Sequence, residues 1–183
     1  MSGILIENSI EGDILMNINI GQPPIAPIFD DWFLPSQDEL NEMYVELRLH
    51  SIGGFLDQFY TCSSESGAGT NWVQNFTDGS QVPNMADKVD PYPVRGCRAF
   101  TSVSTSYNLR DIGPAGGYIF WKSGSNYLES TPTDLANTEW SNIQLAIGTT
   151  GTAIGTGQAN TTAIINQSGH TDSAAKLCDD LQT

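Results

Sequence analysis

The stretch that most constrains this chain is Ser36-Gln-Asp-Glu39 with the apolar stripe behind it, Leu40, Met43, Tyr44 and Leu47. The first four residues are a capping box: the serine oxygen accepts from the third backbone N–H of a helix, and the glutamate reaches back to the cap. The stripe follows at i, i+3, i+4 and i+7, one apolar face of an amphipathic helix. Pro35 stands just outside and blocks backward propagation, and Gly53-Gly54 closes the unit. A helix with one apolar face must lie against another apolar surface. The sequence that follows offers short strand-like runs, which predicts an α+β domain with helix packed on sheet.

Those runs are Phe59 to Ser64, then Trp72 to Phe76, with Trp72, Gln74 and Phe76 on one face and Val73 and Asn75 on the other. Thr77-Asp-Gly-Ser80 reads as a hairpin turn. Pro83 to Pro93 carries three prolines and reads as irregular, and Val94 to Val103 reads as the next strand. Near the C-terminus, 157–165 and 173–181 read as two helices broken at Gly169, the second capped by Asp172 or Ser173. The Gly/Thr-rich stretch 149–157 has no lysine after its glycines and is not a phosphate loop.

Ahead of the helix, residues 3–20 alternate apolar and polar side chains: Ile4, Ile6 and Ile10, then Ile14, Met16, Ile18 and Ile20. A period of two is that of a half-buried strand. Gly21-Gln-Pro-Pro-Ile-Ala-Pro27 then reads as an extended linker. Such a strand cannot bury its apolar side alone. It packs on a neighbouring subunit or larger assembly, or it is an extra edge strand on its own domain. The expected organisation is an arm and linker over 1–28 and a single domain over 29–183.

Composition narrows the partners. The 183 residues hold 7 Lys+Arg against 21 Asp+Glu, a net charge of −14, and the basic residues are scattered. Nucleic acids and anionic membrane surfaces need a basic face, so neither is an expected partner. No apolar run approaches the roughly 20 residues needed to span a bilayer. The acidic, alternating N-terminus does not read as a secretory leader. The three cysteines, Cys62, Cys97 and Cys178, include no CxxC pair and have no histidine at ligand spacing, so no zinc site or other metal is expected. Cys178 lies on an apolar helical pattern and reads as a buried thiol.

A set of blocks carries a family resemblance. They are Phe29-Asp-Asp-Trp-Phe-Leu-Pro-Ser36, Tyr60-Thr-Cys-Ser-Ser-Glu65, Asn71-Trp-Val-Gln-Asn-Phe76 and Val94-Arg-Gly-Cys-Arg-Ala-Phe100, then Gly113-Pro-Ala-Gly-Gly-Tyr-Ile-Phe120 and Ala174-Ala-Lys-Leu-Cys-Asp-Asp-Leu181. Together they resemble the bacterial and phage family DUF1566, also called the Lcl C-terminal domain, whose members have a C-type-lectin-like fold. In that family the Gly-Pro-Ala-Gly-Gly block comes first, so the resemblance implies a circularly permuted domain: 29–103 is the family's back half, 112–183 its front half and 104–111 the seam. It implies a hairpin through Ser104 to Asn108 joining two strands that pair antiparallel, with Gly116 to Lys122 as the old first strand. It also implies that Thr183 lies beside the linker before Phe29. Relatives more often carry Ser and Val where this chain has Cys62 and Cys97. Their implied placement on one small sheet allows a disulfide if the Cα atoms lie within about 7 Å.

No catalytic set emerges. His50 and His170 are not placed beside a Ser or Cys in a nucleophile motif, and each reads as solvated or structural. Lectin-like folds include enzymes with paired reactive cysteines, but nothing around Cys62 and Cys97 matches them. Calcium-dependent lectins use Glu-Pro-Asn or Gln-Pro-Asp with Trp-Asn-Asp. This chain has Gln81-Val-Pro-Asn84, with an extra residue, and Asp78, Asp87 and Asp90 read as solvated. Trp32, Trp72, Phe76, Trp121 and Trp140 read as core.

The expectation is therefore a non-enzymatic display or adhesion protein without cofactor, on a virion surface or otherwise extracellular, in a phage tail, fibre or capsid decoration. It would be a homo-oligomer held by the arm (Ile4, Ile6, Ile14, Met16, Ile18, Ile20), binding a host surface glycan or protein through Thr61, Ser63, Asn71, Val73, Asn75, Ser80, Gln81 and Asn84. The alternative is a soluble bacterial carbohydrate-binding module.

Overall fold

The computed structural model describes residues 27–183, and the arm's Ile4, Ile6, Ile14, Met16, Ile18 and Ile20 lie outside the described residues. The domain is mixed α+β, built on short antiparallel sheets. The helix α1 spans Gln37–Glu46. One sheet has the order β1 (Phe59–Gly67), β2 (Thr70–Asn75), β3 (Gln81–Asp87). A two-stranded sheet pairs β4 (Pro91–Val94) with β8 (Leu135–Glu139), and a third has β7 (Asn126–Ser130) between β5 (Cys97–Thr101) and β6 (Tyr118–Ser123). Two short helices follow, α2 (Gly157–Ile165) and α3 (Ala174–Asp179).

The capping box forms as the sequence dictates. Ser36 N–H donates to the Glu39 carboxylate at 2.7 Å, and Glu39 N–H donates to Ser36 Oγ at 3.3 Å. Leu40, Met43 and Leu47 are buried beneath α1 against Phe33, Tyr60, Phe76, Phe120 and Leu128. A second cluster gathers Leu34, Val94, Trp140, Ile164, Ala174, Ala175 and Cys178 behind α2 and α3. Each large side chain buried this way contributes about 1.5–3 kcal/mol. Ser173, not Asp172, caps α3 by accepting from Lys176 N–H.

The segments 29–103 and 112–183 interlock. Leu34 N–H donates to Thr161 Oγ1 at 3.0 Å, Asp38 N–H to Thr152 O at 2.9 Å, and Trp140 Nε1 to Cys62 O at 2.7 Å. The two chain ends of the domain also meet. Phe29 N–H donates to Thr183 O at 2.8 Å, Thr183 N–H returns to Phe29 O at 3.1 Å, and Trp32 Nε1 reaches Thr183 Oγ1 at 3.2 Å.

Several expected strands are redrawn. The proline-bearing stretch 83–93 holds most of β3 and the start of β4, because Pro83 lies on an edge strand where a missing N–H costs no ladder bond. The run 94–103 is split: Val94 ends β4, and β5 begins at Cys97 in another sheet. Val73 is buried while Trp72 is half-buried, since β2 is a central strand covered on both sides. The 104–108 segment is not a hairpin between paired strands. β5 and β6 each pair with β7 and not with each other, so they run parallel and the chain must cross over between them. Tyr107 lies on Tyr127 and Phe100 during that crossing, and Arg110 to Ile112 then pair with the start of β6.

Candidate functional site

Half of the expected ligand set is inaccessible. Thr61, Ser63, Asn71 and Val73 are all buried, because β1 and β2 lie under α1, the 150–156 stretch and the start of α2. Most of their polar atoms bind one another and the scaffold, while Asn71 Oδ1 is buried without a partner. Asn71 Nδ2 donates to Thr61 Oγ1 at 2.9 Å, Ser63 Oγ to Pro35 O at 3.1 Å, and Asn160 Nδ2 to Ser63 Oγ at 3.0 Å. Of the other four, Ser80 and Asn84 are exposed and Asn75 and Gln81 are half-buried. These sit around the β2–β3 turn, with Ser80 tied to Asp78 and Gln81 to Gln37. They bracket a turn and an edge strand, not an open sheet face.

The charges that a sequence reader places in solvent are instead buried. Lys88 is fully covered and its ammonium donates to Glu65 at 2.5 Å and to Leu145 O at 2.9 Å, 4.5 Å from the Trp140 ring centre. Burial raises the Glu65 pKa, but Lys88 and the N–H groups of Gly148 and Ile147 outweigh it and hold the carboxyl below its usual value. Arg95, also fully covered, joins the Asp134 carboxylate to Gly53 O and Thr131 O. Tyr60 donates its hydroxyl to the same Asp134 at 2.7 Å.

Arg98 spans Asp31 at 2.6 Å and Glu129 at 3.3 Å, with the Phe29 ring centre 4.4 Å from its guanidinium. Glu129 accepts from the N–H groups of Ala115 and Gly117, so the Gly113-Pro-Ala-Gly-Gly loop is wrapped around a buried carboxylate. Burial nevertheless pushes the Glu129 pKa up. A Cβ on Gly113 would overlap that carboxylate, and one on Gly117 would overlap Ser130 O. This accounts for Gly113 and Gly117, while Gly116 sits at φ +85°, in the left-handed region that favours glycine.

Cys62 and Cys97 are not bridged. Cys62 is on β1 and Cys97 on β5, in different sheets, and all three thiols are free and buried. Burial pushes the Cys62 thiol up to about 12 and raises Cys97 and Cys178 as well. His50 is exposed. His170 does meet a serine: its Nε2 is 2.9 Å from Ser173 Oγ. That serine is wholly buried and already caps α3, so the contact closes a turn and presents no nucleophile. Among the described residues, no three His, Cys, Asp or Glu side chains are grouped to hold a metal ion, and Asp78, Asp87 and Asp90 are exposed.

Several grooves are open among the described residues, and two of them are roomier than those at Phe29–Pro114 and Glu65–Thr150. The larger, about 410 Å³ and mainly apolar, is lined by Ala99, Thr101, Trp121, Asn126, Leu128 and Ile154. Registers Ala99↔Leu128, Thr101↔Asn126 and Trp121↔Leu128 put these sheet residues on one face. Arg98 and Glu129 occupy the opposite face. The second groove, about 360 Å³, is lined by Asp57, Gln58, Phe59, Tyr92 and Asn137 between β1, β4 and β8. Neither groove is visible before the strand order is known. Trp121 reads as core in sequence and is in fact half-buried at a groove wall.

Comparison with protein-family models, with curated proteins and with solved structures finds no match for this chain.

Proposed function

We propose that this chain is a non-enzymatic display and attachment module: a C-type-lectin-like domain of the DUF1566 type, in circularly permuted order, carried on a phage particle by its N-terminal arm. The observation that carries this reading is the two-way hydrogen bonding of Phe29 to Thr183. A family chain would run straight through that point, and here the arm attaches beside it. The mutual bonding of 29–103 with 112–183 supports halves of one domain, as does a glycine motif that encloses Glu129. Against a thiol enzyme stand the burial and raised pKa of Cys62 and Cys97.

Two experiments test this. Removing residues 1–27 should abolish co-sedimentation with the particle while leaving the domain's thermal melt in place; retention of the truncated domain on the particle would refute the attachment role. A variant opened beside the exposed Val103 and closed from Thr183 to Phe29 by a short linker should fold with the native spectrum. Failure of the closed variant to fold counts against the permuted order.

One observation favours the second reading, a carbohydrate-binding module. Tyr92 lines the second groove together with Gln58, Asn137 and Asp57, an aromatic side chain among planar polar groups, the combination that sugar rings require. Glycan-array retention with and without calcium, lost on Tyr92→Ala, would support it.

A further inference from the structure

We propose that the large groove on the β5–β7–β6 sheet receives residues 13–20 of the arm of a second copy of this chain. The inference rests on the reading of the arm as an assembly element and names its receptor. Three features converge on it. The groove, about 410 Å³, is walled mainly by carbon from Ala99, Trp121, Leu128 and Ile154, with Thr101 and Asn126 at one side. That lining suits aliphatic side chains better than a hydroxyl-rich ligand. The arm supplies Ile14, Met16, Ile18 and Ile20 at a period of two, so an extended segment would present all four on one side over about 20 Å. It needs an apolar surface it does not itself contain.

The chain's entry point decides between a copy's own arm and a neighbour's. Phe33 pairs antiparallel with Cys97, so the chain traced backward from Phe33 runs toward the Thr101 end of β5. It arrives at Phe29 on the Arg98 side of the sheet, with the ring 4.4 Å from the guanidinium. Ala99, Leu128 and Trp121 line the groove on the other side, and Phe100 and Thr101, which border both this groove and the pocket at Phe29, form the rim that an arm would have to turn round. Linker residues 21–28 carry Pro23, Pro24 and Pro27 and reach roughly 25 Å when extended. Proline fixes φ and resists the reversal needed to bring the arm round the sheet edge to its own groove. A linker extended to that length would deliver residues 13–20 to a neighbour. Such a contact joins unlike surfaces, so it closes into a ring or propagates.

The test is sedimentation of the full chain over a concentration series. Self-association is expected, weakened about tenfold or more by Ile14→Asp/Ile18→Asp in the arm and equally by Ala99→Glu in the groove. Ala99 is exposed, so its substitution should leave the thermal melt unchanged. Ile154→Asp on the opposite wall provides a second groove variant. Mixing the arm variant with the Ala99→Glu protein should restore a complex containing one of each, since one retains a groove and the other an arm. A full chain that stays monomeric overturns the inference. So does self-association that survives both groove variants but is lost with the arm variant; in that case the arm's assembly role stands and only its receptor is wrong. Failure of the mixture to form a complex also overturns it.

Discussion

The β1–β2–β3 sheet and the β5–β7–β6 sheet are alike in size and pairing but opposite in use. The first is rich in Ser, Thr, Asn and Gln and looks like a ligand surface. Yet Thr61, Ser63 and Asn71 are buried and bonded to the chain itself. The second has one face covered in part by Phe29, Arg98 and the 107–114 loop, which leave a groove of about 250 Å³ among them, while the other opens at Ala99, Trp121 and Leu128 into a larger apolar groove. A binding surface is defined by unfilled capacity, and polar composition is a poor guide to it. In the first sheet polarity is the adhesive between two segments of the domain; in the second the vacancy is hydrocarbon.

The largest expected effect tests how tightly the second sheet's covered face is built. Gly117→Ala places a methyl against Ser130 O and should cost more than about 4 kcal/mol, read as loss of the cooperative melt. Next comes the buried pair of the first sheet. Lys88→Ala leaves Glu65 without its cation and should cost about 3–5 kcal/mol in urea denaturation. A cost below about 1 kcal/mol would mean that the pair is solvated, and the contrast between the sheets would weaken.

The same substitution at two serines then separates buried from displayed polarity. Ser63→Ala should cost about 1–3 kcal/mol by leaving one Asn160 amide N–H without its acceptor, whereas Ser80→Ala should stay within about 0.5 kcal/mol. Equal costs would erase the distinction.

The smallest effect is one of sign with pH. Glu65 is held below its usual 4.5, so its contribution is present above that value and lost as pH falls through the lower folded value. Glu129 is raised by burial, so its contribution is present below 4.5 and lost as pH rises through the higher folded value. Acidification from neutrality should therefore raise wild-type stability relative to Glu129→Gln. Further acidification below about pH 4.5 should lower it relative to Glu65→Gln. Two trends of the same sign would contradict the assignment.

What was legible in the sequence was local. The Ser36–Glu39 box, the Leu40–Leu47 stripe and the Ser173 cap each depend on residues within one or two turns, and all three appear where expected. Thr183 also meets Phe29, a proximity expected only as an implication of the family resemblance. Strands β7 and β8 were not legible. Asn126-Tyr-Leu-Glu-Ser130 and Leu135-Ala-Asn-Thr-Glu139 lack β-branched alternation, and only pairing with β5, β6 and β4 makes them strands. Buried Lys88, Arg95 and Arg98 were equally hidden, because a charge reads as solvent-facing until its partner is found far along the chain. The groove depends on the β5–β7–β6 order, which no short window contains.

The clasp at Phe29 has a mechanical consequence. A pull on the arm enters the domain at the residue whose backbone is bonded to Thr183 and whose ring covers Arg98. Tension therefore first meets those two hydrogen bonds, then the Arg98–Asp31 pair and the Trp32–Thr183 bond, before it reaches Phe33 and the aromatic core. The domain would yield by peeling back its first few residues in steps, like a tear strip with a reinforced lip, while the rest of the fold keeps its shape under strain.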